Sequence, residues 1–242
     1  MRLKECIILI VLILFINNSN QQYLSLNTYK TQDYPIVTGT WRDILGVQVE
    51  CPHGGLLKNF VLRKNSEKFW YEFQCYSSLE DASDEGEPII KGLTLYSTYR
   101  YSITIQNNIR TLDQYPVECW VDYGLMSFLL YNDNGILRRE AVCHGVKPST
   151  TVINVKTGYV TALATTIDGL VGITVGSTAT EDDEHVGYPL RGFKYNIDVS
   201  SSKEKPKVSY IYAYSVLRNM KKVKEASIQA LENLKNGNTQ KN

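Results

Sequence analysis

Val49-Glu50-Cys51-Pro52-His53-Gly54-Gly55-Leu56-Leu57-Lys58-Asn59-Phe60-Val61-Leu62 is followed by a polar break and by an aromatic run that ends at Cys75. The same plan recurs 68 residues on (Val49 to Val117) as Val117-Glu118-Cys119, then Leu125, Phe128 and Leu130, then Glu140 and Cys143. The two windows align without a gap. An internal repeat has to be settled before any element is assigned, because a unit too small to bury its own apolar face shares a core with its neighbours. Inside each copy apolar and polar residues alternate, as in Val47, Val49 and Cys51, in Phe60 and Leu62, and again from Phe69 to Cys75. That period of two predicts strands with one buried face. Asn134-Gly135 joins the last two strands of the second copy and signals a hairpin, since both residues accept positive φ. Ser66-Glu67 stands at the same place in the first copy. Each copy therefore predicts a short lead strand followed by a hairpin.

The chain opens Met1-Arg2-Leu3-Lys4, runs apolar without a break from Ile7 to Ile16, and turns polar at Asn17-Asn18-Ser19-Asn20. A basic start and a short apolar centre predict a secretory signal peptide over residues 1–19. The alternative, an uncleaved anchor, is disfavoured because the run is shorter than the ~20 apolar residues a spanning helix needs. Cys6 falls inside the signal, leaving Cys51, Cys75, Cys119 and Cys143 as the site residues of the mature chain. An even count in a secreted chain favours disulfides. Equivalent copies should close equivalent bonds, so Cys51–Cys75 and Cys119–Cys143 are expected, each contributing about 3 kcal/mol. A metal site using His53 and His144, which flank Cys51 and Cys143, is the alternative. Those histidines are not at equivalent positions and no Cys-x-x-Cys occurs, so neither metal nor cofactor is expected.

Lys and Arg number 26 against 25 Asp and Glu. A balance this close to neutral gives no electrostatic case for nucleic acid as a partner. The 17 tyrosines fit strand propensity, with a sugar-stacking face as the alternative.

A third copy is traced through Leu190, Phe193 and Tyr195, then Val208, Tyr210, Tyr212 and Tyr214 in alternation. Tyr214 falls at the place of Cys143 and Glu184 at that of Cys119, so both partners of one bond are lost together. The Thr/Gly-rich stretch from Thr150 to Thr180 predicts packed strands, with a membrane-inserting β-hairpin as the sharper alternative. Acidic loops at Asp81, Asp84, Glu85 and Glu87 and at Glu181 to Glu184 read as solvated loops, with calcium as the alternative. Val216, Met220, Val223, Ser227, Leu231 and Leu234 follow helical spacing. They predict an amphipathic helix over residues 216–236, ahead of a disordered tail at 237–242.

The expected fold is all-β: three pseudo-repeats of antiparallel strands, as a β-prism or a sandwich, with a C-terminal α-helix. Residues 20–215 form the β domain, with modules at about 43–110, 111–165 and 166–215. The bracket of Val-x-Cys, then Leu-x-x-Phe-x-Leu, then an aromatic strand ending in Cys resembles secreted cysteine-bracketed β-repeat proteins of protists. More distantly it is similar to the vitelline membrane outer layer protein family, whose fold is a β-prism of three repeated sheets. Cys51, Leu57, Phe60, Leu62 and Cys75 with their counterparts carry the resemblance, and the third copy departs from it by lacking both cysteines. The resemblance implies an architecture and no functional residue.

His-Glu-x-x-His, Gly-x-Ser-x-Gly, P-loop and dinucleotide fingerprints do not occur, so no catalytic residue is assigned and an enzyme is not expected. The expected function is that of a secreted, non-enzymatic structural, extracellular matrix or surface-coat protein, with matrix or coat proteins as partners. A carbohydrate-binding, lectin-like module that takes glycans is the alternative. A membrane-active, pore-forming secreted protein using residues 157–180 is the second.

Overall fold

Side chains that alternate across an extended backbone leave its amide groups to be paired by a neighbour, and the way those pairs close decides the architecture. The computed structural model describes residues 25–77, 90–106, 108–114, 116–120, 122–146, 151–182, 185–218 and 227–230. Its strands, in chain order, are β1 (Leu26–Lys30), β2 (Tyr34–Pro35), β3 (Gln48–Glu50), β4 (Leu56–Lys64) and β5 (Lys68–Tyr76). There follow β6 (Ile90–Thr104), β7 (Val117–Glu118), β8 (Tyr123–Asp133), β9 (Ile136–Val146) and β10 (Thr151–Lys156). The last are β11 (Val160–Thr161), β12 (Thr174–Gly176), β13 (His185–Gly187), β14 (Leu190–Asp198) and β15 (Lys207–Arg218).

These make three antiparallel sheets. The first is β1-β5-β4-β12 with β2 on β5, the second β3-β8-β9-β6, and the third β10-β15-β14-β7 with β11 and β13 on β15. Each is built on one hairpin: β4–β5, β8–β9 and β14–β15. The turn of the second has Asn134 at φ 52° and Gly135 at φ 84°, the pair of positive values that a two-residue hairpin of matched twist requires.

The lead strands do not pair with the hairpins that follow them. β3 lies on β8, with Val49 opposite Phe128. β7 lies on β14, with Val117 opposite Phe193, and β12 lies on β4, with Val175 opposite Phe60. Every sheet thus borrows a lead strand from a neighbour, and the exchange closes into a ring. Short 3-10 turns at Trp41–Ile44, Ile109–Gln114 and Ile167–Leu170 precede the leads and bury Ile44, Leu112 and Leu170. The Thr/Gly-rich stretch is therefore divided. Residues 160–161 join β15, 167–170 turn into the core, and 174–176 supply the lead strand of the first sheet.

Between the sheets, the rings of Phe60, Phe128 and Phe193 meet in a triangle with all three centroid separations at 4.9 Å. Leu57, Leu125 and Leu190 are fully buried along one side of it, and Leu62, Leu130 and Tyr195 along the other. Arg139 occupies the register place that Tyr71 and Tyr210 hold in the other hairpins. There it is buried, and its Nη2 donates to the carbonyl of Leu112 at 2.9 Å.

The two expected disulfides are present, Cys51–Cys75 and Cys119–Cys143, each spanning 24 residues. Cys51 follows β3 in the second sheet while Cys75 lies on β5 in the first. Cys119 follows β7 in the third sheet while Cys143 lies on β9 in the second. Each bond therefore ties two sheets together at a corner. Replacing Cys51 and Cys75 together by serine is expected to cost about 3 kcal/mol of unfolding free energy. A non-reduced peptide map that showed a Cys51–Cys119 crosslink would contradict this pairing.

Two expectations change. Ser177, buried, stands two residues after Val175 as Cys51 and Cys119 stand two residues after Val49 and Val117. It is Ser177 that takes the place assigned to Glu184, which lies outside the described residues. Val216 and Leu217 belong to β15 and not to a helix, because Thr151 and Gly187 pair with them; tertiary pairing overrides a 3.6-residue pattern that short side chains make ambiguous. Helix is described only at residues 227–230, and none among the described residues is long and apolar enough to cross a membrane. The acidic loop at Asp81, Asp84, Glu85 and Glu87 lies outside the described residues, as do the signal segment at 1–19 and the tail at 237–242.

Candidate functional site

The third lead strand reaches its hairpin by a longer path than the other two. Eight residues carry the chain from Val49 to Leu57 and from Val117 to Leu125, but fifteen from Val175 to Leu190. The additional residues include the acidic run that starts at Glu181. Its first carboxylate turns inward. Lys58 Nζ donates to Glu181 Oε1 at 2.8 Å, and Tyr76 Oη donates to the same oxygen at 2.5 Å. The N–H of Tyr188 in turn donates to Tyr76 Oη at 2.9 Å. Lys58 is 4% exposed and Tyr76 fully buried, beside Leu56, Val146 and Leu217.

Local backbone geometry makes this corner possible. Gly176 has φ +115°, and a Cβ there would lie 2.2 Å from the carbonyl oxygen of Lys58. Only glycine combines that conformation with so close an approach. Desolvation pushes the Glu181 carboxyl up, but the bonds from Lys58 and Tyr76 outweigh it and hold the group below the ordinary carboxylate value. The Tyr76 phenol is driven far above its ordinary value, first by burial and then by its bond to Glu181. The proton therefore stays on Tyr76 and the negative charge on Glu181 throughout the neutral range. The arrangement holds a charge pair in place and does not exchange protons.

Outside this latch runs a row of rings. His185 stacks on Tyr188 at 6.0 Å, Tyr188 meets Tyr214 edge-on at 6.1 Å, and Tyr214 stacks on Tyr212 at 6.2 Å. Asp182 fixes His185, accepting its backbone N–H at 2.7 Å and lying 3.0 Å from its Nδ1. Tyr212 and Tyr214 remain part-exposed. Rings of this kind offer apolar area at little entropic cost and, through their hydroxyls, polar contacts at the edge.

A separate cleft of about 300 Å³ lies around the 3-10 turn Ile109–Gln114. Gln106, Asn108, Arg110, Thr111, Asp113 and Gln114 line it. Burial lifts the Asp113 carboxyl above its ordinary value, and Lys194 Nζ stands 3.9 Å from it. Amides, a guanidinium and a carboxylate side by side provide donors and acceptors in quantity but little apolar area.

The sequence-assigned residues fall in other places. The four cysteines are buried at two corners. His53 is exposed in a turn at φ 52°, while His144 is buried against Gly54. Among the described residues no three His, Cys, Asp or Glu side chains converge as a group able to hold a metal ion. Lys58, Tyr76 and the cleft at Gln106–Gln114 carry no motif and were missed. The one available signal was the longer spacing between Val175 and Leu190. No family model, curated protein or solved structure matches the chain.

Proposed function

We propose that this chain is a secreted, non-enzymatic structural, extracellular matrix or surface-coat protein, built as a β-prism from three copies of one module. The single observation that carries this reading is the bracing of the corners. Two disulfides tie neighbouring sheets, and a part-buried Lys58–Glu181–Tyr76 latch stands at the corner where Ser177 and Tyr214 replace the third pair. Crosslinks of this kind persist in oxidising compartments and suit a scaffold that keeps its shape while loops and edges meet partners. Its partners are other matrix or coat proteins. The test is to express the tagged chain in a secretory host and fractionate. The reading predicts recovery from the medium or extracellular matrix with both disulfides formed; retention in the cytosol with reduced thiols would overturn it.

The polar cleft and, apart from it, the row of tyrosines favour a second reading, a carbohydrate-binding module. Planar amides, Arg110 and Asp113 match vicinal hydroxyls, and part-exposed rings suit sugar faces. A glycan array separates the two. Binding that Asp113→Ala or Tyr214→Ala reduces at least about tenfold, the loss of one or two good polar or stacking contacts, would put the lectin first. A blank array leaves the scaffold.

A further inference from the structure

The outer edge of the third sheet is a strand whose hydrogen-bonding groups face away from it. β10 runs antiparallel to β15 without a bulge, with Ile153 opposite Tyr214 and Val155 opposite Tyr212. Just past its end the N–H of Thr157 donates to the carbonyl of Tyr210 at 2.9 Å. Antiparallel pairs alternate between hydrogen-bonded and non-bonded positions. Thr151, Ile153 and Val155 therefore bond to β15, and the N–H and C=O groups of Val152, Asn154 and Lys156 point outward. Among the described residues no strand takes that side of β10.

Proteins guard such edges with charges, prolines or cover. The matching edge of the first sheet, β1, is guarded in this way. Lys30 pairs with Asp33 at 2.6 Å, its Nζ lies 4.3 Å from the centre of the Trp70 ring, and Pro35 follows in β2. β10 reads Thr-Val-Ile-Asn-Val-Lys, with its one charge at the far end. Thr151, Ile153, Asn154 and Lys156 are exposed, and Ile153 and Val155 share a face with the part-exposed Tyr212 and Tyr214.

We infer that β10 pairs with β10 of a second copy of this chain, antiparallel about a two-fold axis at Asn154, so that two third sheets become one. The outward groups set the register. An axis through Asn154 places the two Asn154 residues opposite each other, Val152 opposite Lys156, and Ile153 opposite Val155. A slip of one residue would bring inward-bonded groups to the seam and turn every side chain to the wrong face. The two Lys156 side chains stand at opposite ends of the pairing, so like charges do not meet. Ile153–Val155 pairs extend the apolar strip begun by Tyr212 and Tyr214. The inference names one partner for the proposed scaffold, and it rests on sheet geometry and not on the compartment.

Sedimentation velocity on the full secreted chain over a dilution series is expected to show a reversible dimer. Asn154→Pro removes an outward N–H without touching the bonds to β15. It should weaken the dimer at least about tenfold, since the two N–H···O bonds that the facing Asn154 residues exchange are both lost, with an unchanged melting temperature at dilutions where both proteins are monomeric. Should that variant fold poorly, single cysteines decide. Asn154→Cys is expected to give a disulfide-linked dimer on mild oxidation, because facing Cα atoms fall within bridging distance, whereas Ile153→Cys is not. A protein that stays monomeric at every concentration, or one that crosslinks through position 153 and not 154, would overturn the inference. A monomer recovered from the extracellular fraction would leave the scaffold reading standing.

Discussion

Replacing Phe128 by alanine is expected to lower the free energy of unfolding by about 3–5 kcal/mol, the range for truncating a fully buried aromatic ring. Phe128 is 2% exposed and touches the ring of a phenylalanine from each of the other two sheets at 4.9 Å. The hole it leaves lies where three sheets face one another, so no single element can shift to fill it, and the cost should sit high in that range. Phe60→Ala and Phe193→Ala should cost about as much, since each ring makes the same pair of contacts. The double variant Phe60→Ala/Phe128→Ala should fall short of the sum, because the second truncation opens into a cavity already made. Urea titration provides the measurement. A loss below about 1 kcal/mol with an unchanged denaturant slope would show that the three rings do not form the centre of the fold.

Breaking the latch at the third corner ranks next. Glu181→Ala or Lys58→Ala is expected to cost about 3 kcal/mol, the lower end of the range for stranding one partner of a buried pair. The lower end applies because the Glu181 side chain keeps 20% of its exposure against 5% for Lys58. Replacing both at once, as Lys58→Met/Glu181→Leu, should cost less than either single change, since no charge is then left buried alone. The exposed pair Arg63–Glu72, at 46% and 39% exposure, provides the control: cutting it should change little. The pH dependence has a definite sign. The folded structure holds the Glu181 carboxyl below its ordinary value of 4.5. Its contribution is therefore complete above that ordinary value and disappears as pH falls through the folded one. The wild type should lose more stability in acid than the double variant. Parallel acid limbs for the two proteins would remove the latch from the stability of this corner.

Much of the architecture was legible from residues that act locally. The alternation at Phe60 and Leu62, the positive-φ pair Asn134-Gly135 and the equal 24-residue spacing of the cysteines each depend on a few neighbours along the chain. Hairpins and disulfides followed from them. The third lead strand was misplaced because the sequence alignment carried the 65-residue offset of Phe193 back to Glu184. The true lead, Val175, lies 58 residues after Val117, and the acidic insertion absorbs the difference. The predicted start of the last helix failed for a related reason. Val216 and Leu217 satisfy a helical period, but β10 and β13 are present to take their backbone groups.

By itself the sequence determined that this chain is β-rich, that hairpins rise at β4–β5, β8–β9 and β14–β15, and which cysteines join. Only the tertiary structure decided that Val49, Val117 and Val175 pair with hairpins other than their own, and that Lys58 meets a carboxylate 123 residues away. A strand's local preference is the same beside any neighbour of suitable pattern. The choice among neighbours is made by what closes the ring, in which Val49, Val117 and Val175 come to lie opposite Phe128, Phe193 and Phe60 of other hairpins.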